Sequence, residues 1–192
     1  MSTPPPSDRR SALRALLMDY TAVDAAEQDY RSRMLALTRS GADPFARSSF
    51  SPGHFTASAF ILSPRADALL MILHGKLKRW LQPGGHVDAD DPDLIAAARR
   101  EVHEEAGVRN LSLARAGIFD VDIHSIPALG GDPAHEHFDI RFVFRARGKQ
   151  LRSGSDAEGA RWIPIESVCE AESDRSVMRA VQKLRASAVL GG

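Results

Sequence analysis

Three glutamates, Glu101, Glu104 and Glu105, stand within five consecutive residues of a segment with helical periodicity. At roughly 100° per residue, Glu101 and Glu105 fall about 40° apart around a helix, and Glu104 about 60° to the other side of Glu101. Three carboxylates therefore share one arc. Like charges this close repel, and only Glu104 has a cation at a favourable helical spacing, Arg100 four residues before it. A hard divalent cation such as Mg²⁺ resolves that repulsion, because it prefers carboxylate, water and phosphate oxygens. The competing explanation is a solvated acidic face. It is disfavoured, because acids near a helix C-terminus oppose the helix dipole, and such a cost is usually accepted where a site needs it.

A second polar constellation lies further along. Asp120, Asp122 and His124 alternate with Phe119, Val121 and Ile123, and His135, His137, Asp139 and Arg141 alternate with Phe138, Ile140, Phe142 and Phe144. Period two means strands, and pairing through the Pro127–Pro133 loop would gather the two polar sets into one patch. A solvated sheet face is the ordinary explanation. The concentration of His and Asp instead fits a substrate pocket or an auxiliary metal position, and both alternatives stay open.

The stretch from Gly85 through Arg100-Glu101-Val102-x-Glu104-Glu105-x-Gly107-Val108 resembles the signature of the Nudix (MutT-like) hydrolases. In two respects it departs from that pattern: Asp91 stands where the family carries its first Glu, and one additional residue precedes Arg100. The resemblance implies an α/β/α sandwich around a central mixed sheet. It also implies hydrolysis, with Mg²⁺ or Mn²⁺, of a phosphoanhydride bond in a nucleoside triphosphate or in a nucleoside diphosphate linked to another moiety. Carried onto this chain, Glu101 and Glu105 become the principal metal ligands and Glu104 a further one. Arg100 orients a carboxylate, and Gly84 and Gly85 let backbone approach metal and phosphates. Metal-activated water would attack phosphorus, with a glutamate taking its proton. The rivals are a ligand-sensing Nudix-like domain without catalysis, and a prenyl diphosphate isomerase. The isomerase needs a reactive cysteine near the site, and the single cysteine, Cys169, lies in the last connection and reads as a packed small residue.

These residues need a frame. Of 192 residues, 43% are hydrophobic and 26% charged, with 25 basic and 25 acidic side chains. That suits one globular domain with a short extension, and neutrality argues against a broadly basic nucleic-acid binder. One cysteine excludes an internal disulfide framework, so a cytoplasmic setting is expected, and no apolar run approaches a membrane span. Met1–Ser7 reads as a disordered lead-in. Asp8–Arg39 reads as two helices that pack as an annex, in preference to a homodimerisation arm, with Thr21 and Asp24 capping the second. Residues 1–48 are thus assigned to the lead-in and extension, and 49–192 to the Nudix domain. Strands are expected at Phe55–Ser63, Ala68–His74, Arg79–Gln82, Leu111–Ile126, His137–Arg147 and Ala160–Pro164, and helices at Pro92–Ala106 and Ser176–Leu190. Asp91 is the expected N-cap of the first, with Leu94, Ile95, Ala98 and Val102 as its buried stripe. Asp156 and Glu158 read as exposed loop acids, Trp80 as core or pocket wall, and His86 and His103 as structural or surface residues.

Overall fold

The computed structural model describes residues 6–151 and 157–187. The elements are α1 (Pro6–Asp19), α2 (Ala25–Leu37), β1 (Gly53–Leu62), β2 (Ala68–His74), β3 (Trp80–Leu81), β4 (Gly84–His86), α3 (Leu94–Ala106), β5 (Leu111–Leu113), β6 (Asp120–Ile126), β7 (His135–Ala146), β8 (Ala157–Pro164) and α4 (Arg175–Arg185). The lead-in is shorter than expected, since α1 already includes Pro6 and Ser7. Asp156 and the C-terminal end of the expected last helix, Ala188–Leu190, lie outside the described residues. Among those residues no helix is long and apolar enough to cross a membrane.

The hydrogen-bonded strand order is β3-β2-β1-β7-β5, with β4 on β1, β6 on β7 and β8 on β2. The chain divides into two compact units, residues 1–58, 85–97 and 117–141, and residues 59–84, 98–116 and 142–192. In the first, Leu13, Leu17, Met34, Phe45, Phe55, Phe119 and Phe138 are buried. Helix α2 starts at Asp24, whose carboxylate accepts from Glu27 N at 2.8 Å, while Glu27 Oε2 accepts from Val23 N at 3.0 Å. The reciprocal cap therefore runs from Asp24 to Glu27, not from Thr21 to Asp24. Ala26 is exposed, and the buried residue at that turn is Glu27, held by the Tyr20 hydroxyl at 2.5 Å.

In the second unit β2 is central. It pairs with β8 from Ala68↔Pro164 to Ile72↔Ala160, with β1 at Ile61↔Leu70 and Leu62↔Leu69, and with β3 at Ile72↔Leu81. Leu69, Leu70 and Met71 are all buried, so both faces of β2 are shielded from solvent, which explains an uninterrupted apolar run where a half-solvated strand would alternate. The single strand expected over Leu111–Ile126 is two strands, broken at Ala114–Phe119, where Gly117 takes a φ of +74° that favours glycine.

Candidate functional site

Helix α3 begins two residues later than expected. Asp93 is the cap, its Oδ1 accepting from Ala96 N at 2.8 Å, whereas the Asp91 carboxylate is buried and closes its own loop by accepting from Asp88 N at 2.8 Å. Gly107 ends the helix with φ of +70° and its N–H on His103 O at 2.9 Å. Leu94, Ala97, Ala98, Val102 and Ala106 are buried along the helix, while Ile95 is only half-buried.

The acidic arc lies on the C-terminal half of α3. Arg100 Nη1 donates to Glu101 Oε1 at 2.8 Å and to Glu104 Oε2 at 3.1 Å, so the arginine serves two carboxylates where spacing predicted one. Glu105 Oε2 accepts the backbone N–H of Gly84 at 3.0 Å, tying the helix to the first residue of β4. The Glu104 side chain is half exposed. Arg–Glu pairs in this setting are worth at most about 1 kcal/mol, too little to remove the attraction of three carboxylates for a divalent ion.

The second constellation forms as one patch. In the β6–β7 ladder Asp120 faces Arg141, Asp122 faces Asp139 and His124 faces His137, while Val121–Ile140 and Ile123–Phe138 form the alternate pairs. The face is not solvated, however: Asp120, Asp122, Asp139 and Arg141 are all less than 5% exposed. Arg141 lies among the three aspartates, at 3.1 Å from Asp120, 3.3 Å from Asp122 and 2.8 Å from Asp139. Thr56 and Ser58 of β1 donate to the two oxygens of Asp139 at 3.1 and 2.8 Å. Burial works against the guanidinium charge, but Asp122, Asp139 and Asp120 outweigh it and hold the Arg141 pKa above its ordinary value.

At the other end of the same ladder the acids give way to histidines. His54, on β1, brings its ring centroid to 4.9 Å from His137 and 5.2 Å from His135, and His86 lies 5.1 Å from both His54 and His137. Gly53 permits this arrangement. A Cβ at that position would fall 1.8 Å from Glu136 O, so only glycine lets β1 run this close to β7. His54 Nδ1 lies 3.1 Å from Ser49 O, whereas its buried Nε2 has no hydrogen-bond partner, a deficit worth about 1–3 kcal/mol.

A family model described as "NUDIX domain" matches residues 52–181. The chain belongs to this family. It is 32% identical over 90 residues to the protein named "Probable DHNTP pyrophosphohydrolase" of Lactococcus lactis subsp. cremoris, covering 46% of this chain and 51% of that one. To the "Phosphatase NudJ" of Escherichia coli K12 it is 32% identical over 101 residues, covering 50% and 59%. The match thus spans only about half to three-fifths of the length of these curated relatives. Among solved structures, a Caenorhabditis elegans Ap4A hydrolase superposes with a TM-score of 0.55 at 19% identity, over 69% of this chain and 95% of that one. The fold is accordingly the Nudix α/β/α arrangement on a mixed sheet, with two helices before it.

In this Nudix chain the departures from the signature have a structural account. The loop between β4 and α3 is fastened by Arg9 of α1, whose Nη1 donates to Asp88 O at 2.8 Å and to Asp91 O at 3.0 Å. Phe45 supports that guanidinium from 5.1 Å. Sequence leaves His54 without a role and makes His86 a structural or surface residue, whereas both belong to the cluster. His54 lies just before the strand expected at Phe55–Ser63, although His54, Thr56 and Ser58 alternate with Phe55, Ala57 and Ala59, the same period-two signal that exposed β6 and β7. His86 follows two glycines that mask a strand. Of the lesser candidates, Trp80 is half-buried beneath the Arg161 guanidinium at 4.0 Å, and Arg79 is committed to Ser173 O. Cys169 is exposed, not packed.

The histidines also set a pH dependence. Burial, then the neighbouring His86, His124, His54 and His135, push the His137 pKa down to about 2. Burial is likewise the main cause lowering His54, with His135 and Arg47 adding to it and the Ser49 carbonyl opposing it. Groups whose folded pKa is below the unfolded 6.5 contribute stability that is complete above that pH and is lost as pH falls below it. In the metal-free protein, urea denaturation between about pH 7.5 and about pH 5 is expected to show stability falling by up to about 1.4 kcal/mol per pH unit per histidine. His124 acts in the opposite sense. Burial opposes its charge, but the hydrogen bond it donates to Asp122 and the charge of Asp139 raise its pKa, so its contribution is lost as pH rises. A profile that is level across this window contradicts the assignment.

Proposed function

We propose that this Nudix chain hydrolyses a phosphoanhydride bond, in a nucleoside triphosphate or in a nucleoside diphosphate joined to another moiety, with Mg²⁺ or Mn²⁺ as cofactor. The observation that carries the reading is the grouping of Glu101, Glu104 and Glu105 on the last turns of α3, splinted by Arg100 and by the Gly84 N–H. The donor set is all carboxylate oxygen, which suits a hard cation. Glu101 and Glu105, with Glu104, would hold the ion. When bound, it would offset phosphate charge and lower the pKa of a coordinated water.

The chain's own groups account for the rest. Arg100 holds one oxygen each of Glu101 and Glu104 and so fixes the orientation of both carboxylates. Gly84 fixes Glu105 Oε2, and a glutamate of this set accepts the proton of the attacking water. Gly84 and Gly85 present backbone without side chains, so a phosphate can come close. The relatives at 32% identity, named a probable pyrophosphohydrolase and a phosphatase, support the reaction class.

The test is a panel of nucleoside triphosphates, ADP-ribose, dinucleoside polyphosphates, coenzyme A and prenyl diphosphates, assayed with Mg²⁺ and again with EDTA. Release of phosphate, pyrophosphate or nucleoside monophosphate that EDTA abolishes is the expected result. Binding of a nucleotide without turnover would instead mark a ligand-sensing domain.

A further inference from the structure

The geometry points to a second metal site in this chain: His54, His135 and His137 bind a borderline transition ion of the Zn²⁺ type. This site shares no residue with the glutamate set of α3 and does not depend on the activity proposed for it.

Among the described residues, these three offer ligand atoms that all lie within 4.8 Å of one another. They stand on neighbouring strands, His54 on β1, and His135 and His137 two residues apart on one face of β7. Hydrogen bonding selects the tautomers. His135 Nδ1 lies 2.8 Å from Pro133 O, and His54 Nδ1 3.1 Å from Ser49 O. A carbonyl can only accept, so both Nδ1 atoms carry the hydrogen and both Nε2 atoms keep a lone pair. A metal-binding histidine commonly has this outer support, its second nitrogen donating to a backbone carbonyl. The His54 Nε2 is also buried and lacks a hydrogen-bond partner, a lone pair in need of a donor or an ion.

The surroundings favour a cation of charge two. On the same ladder face, the next rows place Asp120, Asp122 and Asp139 around Arg141. Imidazole nitrogen suits Zn²⁺, Ni²⁺, Co²⁺ or Cu²⁺ better than Mg²⁺. Tetrahedral Zn–N bonds of about 2.0–2.1 Å place nitrogens about 3.3 Å apart. Closing to that spacing from within 4.8 Å takes a modest inward turn of the two half-buried rings, His135 and His137. His86, 5.1 Å from two of the three rings, stands nearest to supply a fourth nitrogen or to leave that position to water.

The experiment is calorimetric titration of Zn²⁺ into the metal-free full chain carrying Glu101→Gln, Glu104→Gln and Glu105→Gln together. One ion per chain is expected, not displaced by excess Mg²⁺. Adding His135→Asn should weaken it by at least about tenfold. Loss of binding in the triple glutamine variant, or unchanged affinity in the histidine variant, overturns the site. If a variant fails to fold, the wild-type protein decides: carbethoxylation of His135, followed by mass spectrometry, should slow at least about fivefold with Zn²⁺. Equal labelling with and without the ion overturns the proposal as well.

Discussion

Replacing Glu105 with Gln is expected to lower Mg²⁺-dependent turnover at least about a hundredfold while leaving the thermal transition within a few degrees of the wild type. The amide keeps the length of the side chain, and its Oε1 can still accept the Gly84 N–H that Glu105 now takes at 3.0 Å. What disappears is one negative charge and one ligating oxygen. A structural carboxylate at this position would give the reverse pattern, with stability lost and turnover preserved in proportion to folded protein. Steady-state kinetics beside a circular-dichroism melt separate the two, and near-normal turnover in a folded Gln variant would remove Glu105 from the proposed site.

Arg141→Met should be the most destabilising single substitution on the β6–β7 face, costing about 3–5 kcal/mol. The guanidinium is 2% exposed and reaches Asp120, Asp122 and Asp139, so its loss leaves three buried carboxylates without their common cation. Domains of this size usually unfold with only about 5–15 kcal/mol, so the change should be plain in urea denaturation. Restoring neutrality should recover part of it: Asp120→Asn combined with Arg141→Met is expected to be less destabilising than the sum of the two single variants. A loss below about 1 kcal/mol, or strict additivity, would show that other groups already balance these charges.

How far the sequence foretold these features depended on whether local chemistry and tertiary context agreed. For β2 they did, and Ala68–His74 emerged with the bounds read from its apolar run. The pairing of β6 with β7 was likewise legible, because alternation in two segments joined by a short loop gathers the polar residues on one face and leaves Val121–Ile140 and Ile123–Phe138 on the other. For α3 the apolar stripe was visible, but two aspartates compete to cap it, and the winner depends on Asp91 closing its own loop beneath Arg9 of a distant helix. Periodicity cannot foresee that. Strand β4 escaped notice because Gly84 and Gly85 have poor strand propensity, and pairing with β1 overrides it. His54 went unassigned for a related reason: its partners lie some eighty residues away, and it stands just before the strand expected at Phe55–Ser63.

The β6–β7 ladder ends at Ile126 and His135, and beyond it Gly130 and Gly131 turn the chain with positive φ angles among exposed residues. Length and parity are thereby uncoupled. Lengthening the tip adds little, about 0.6 kcal/mol for each doubling of the loop, so this hairpin end can drift in size over evolution or accept a grafted peptide. A slip of one residue within the ladder is a different event, since it would send aspartates toward Phe138 and phenylalanines toward Arg141. Variation among descendants of this chain should therefore accumulate outside Ile126 and His135 and stop abruptly at that border.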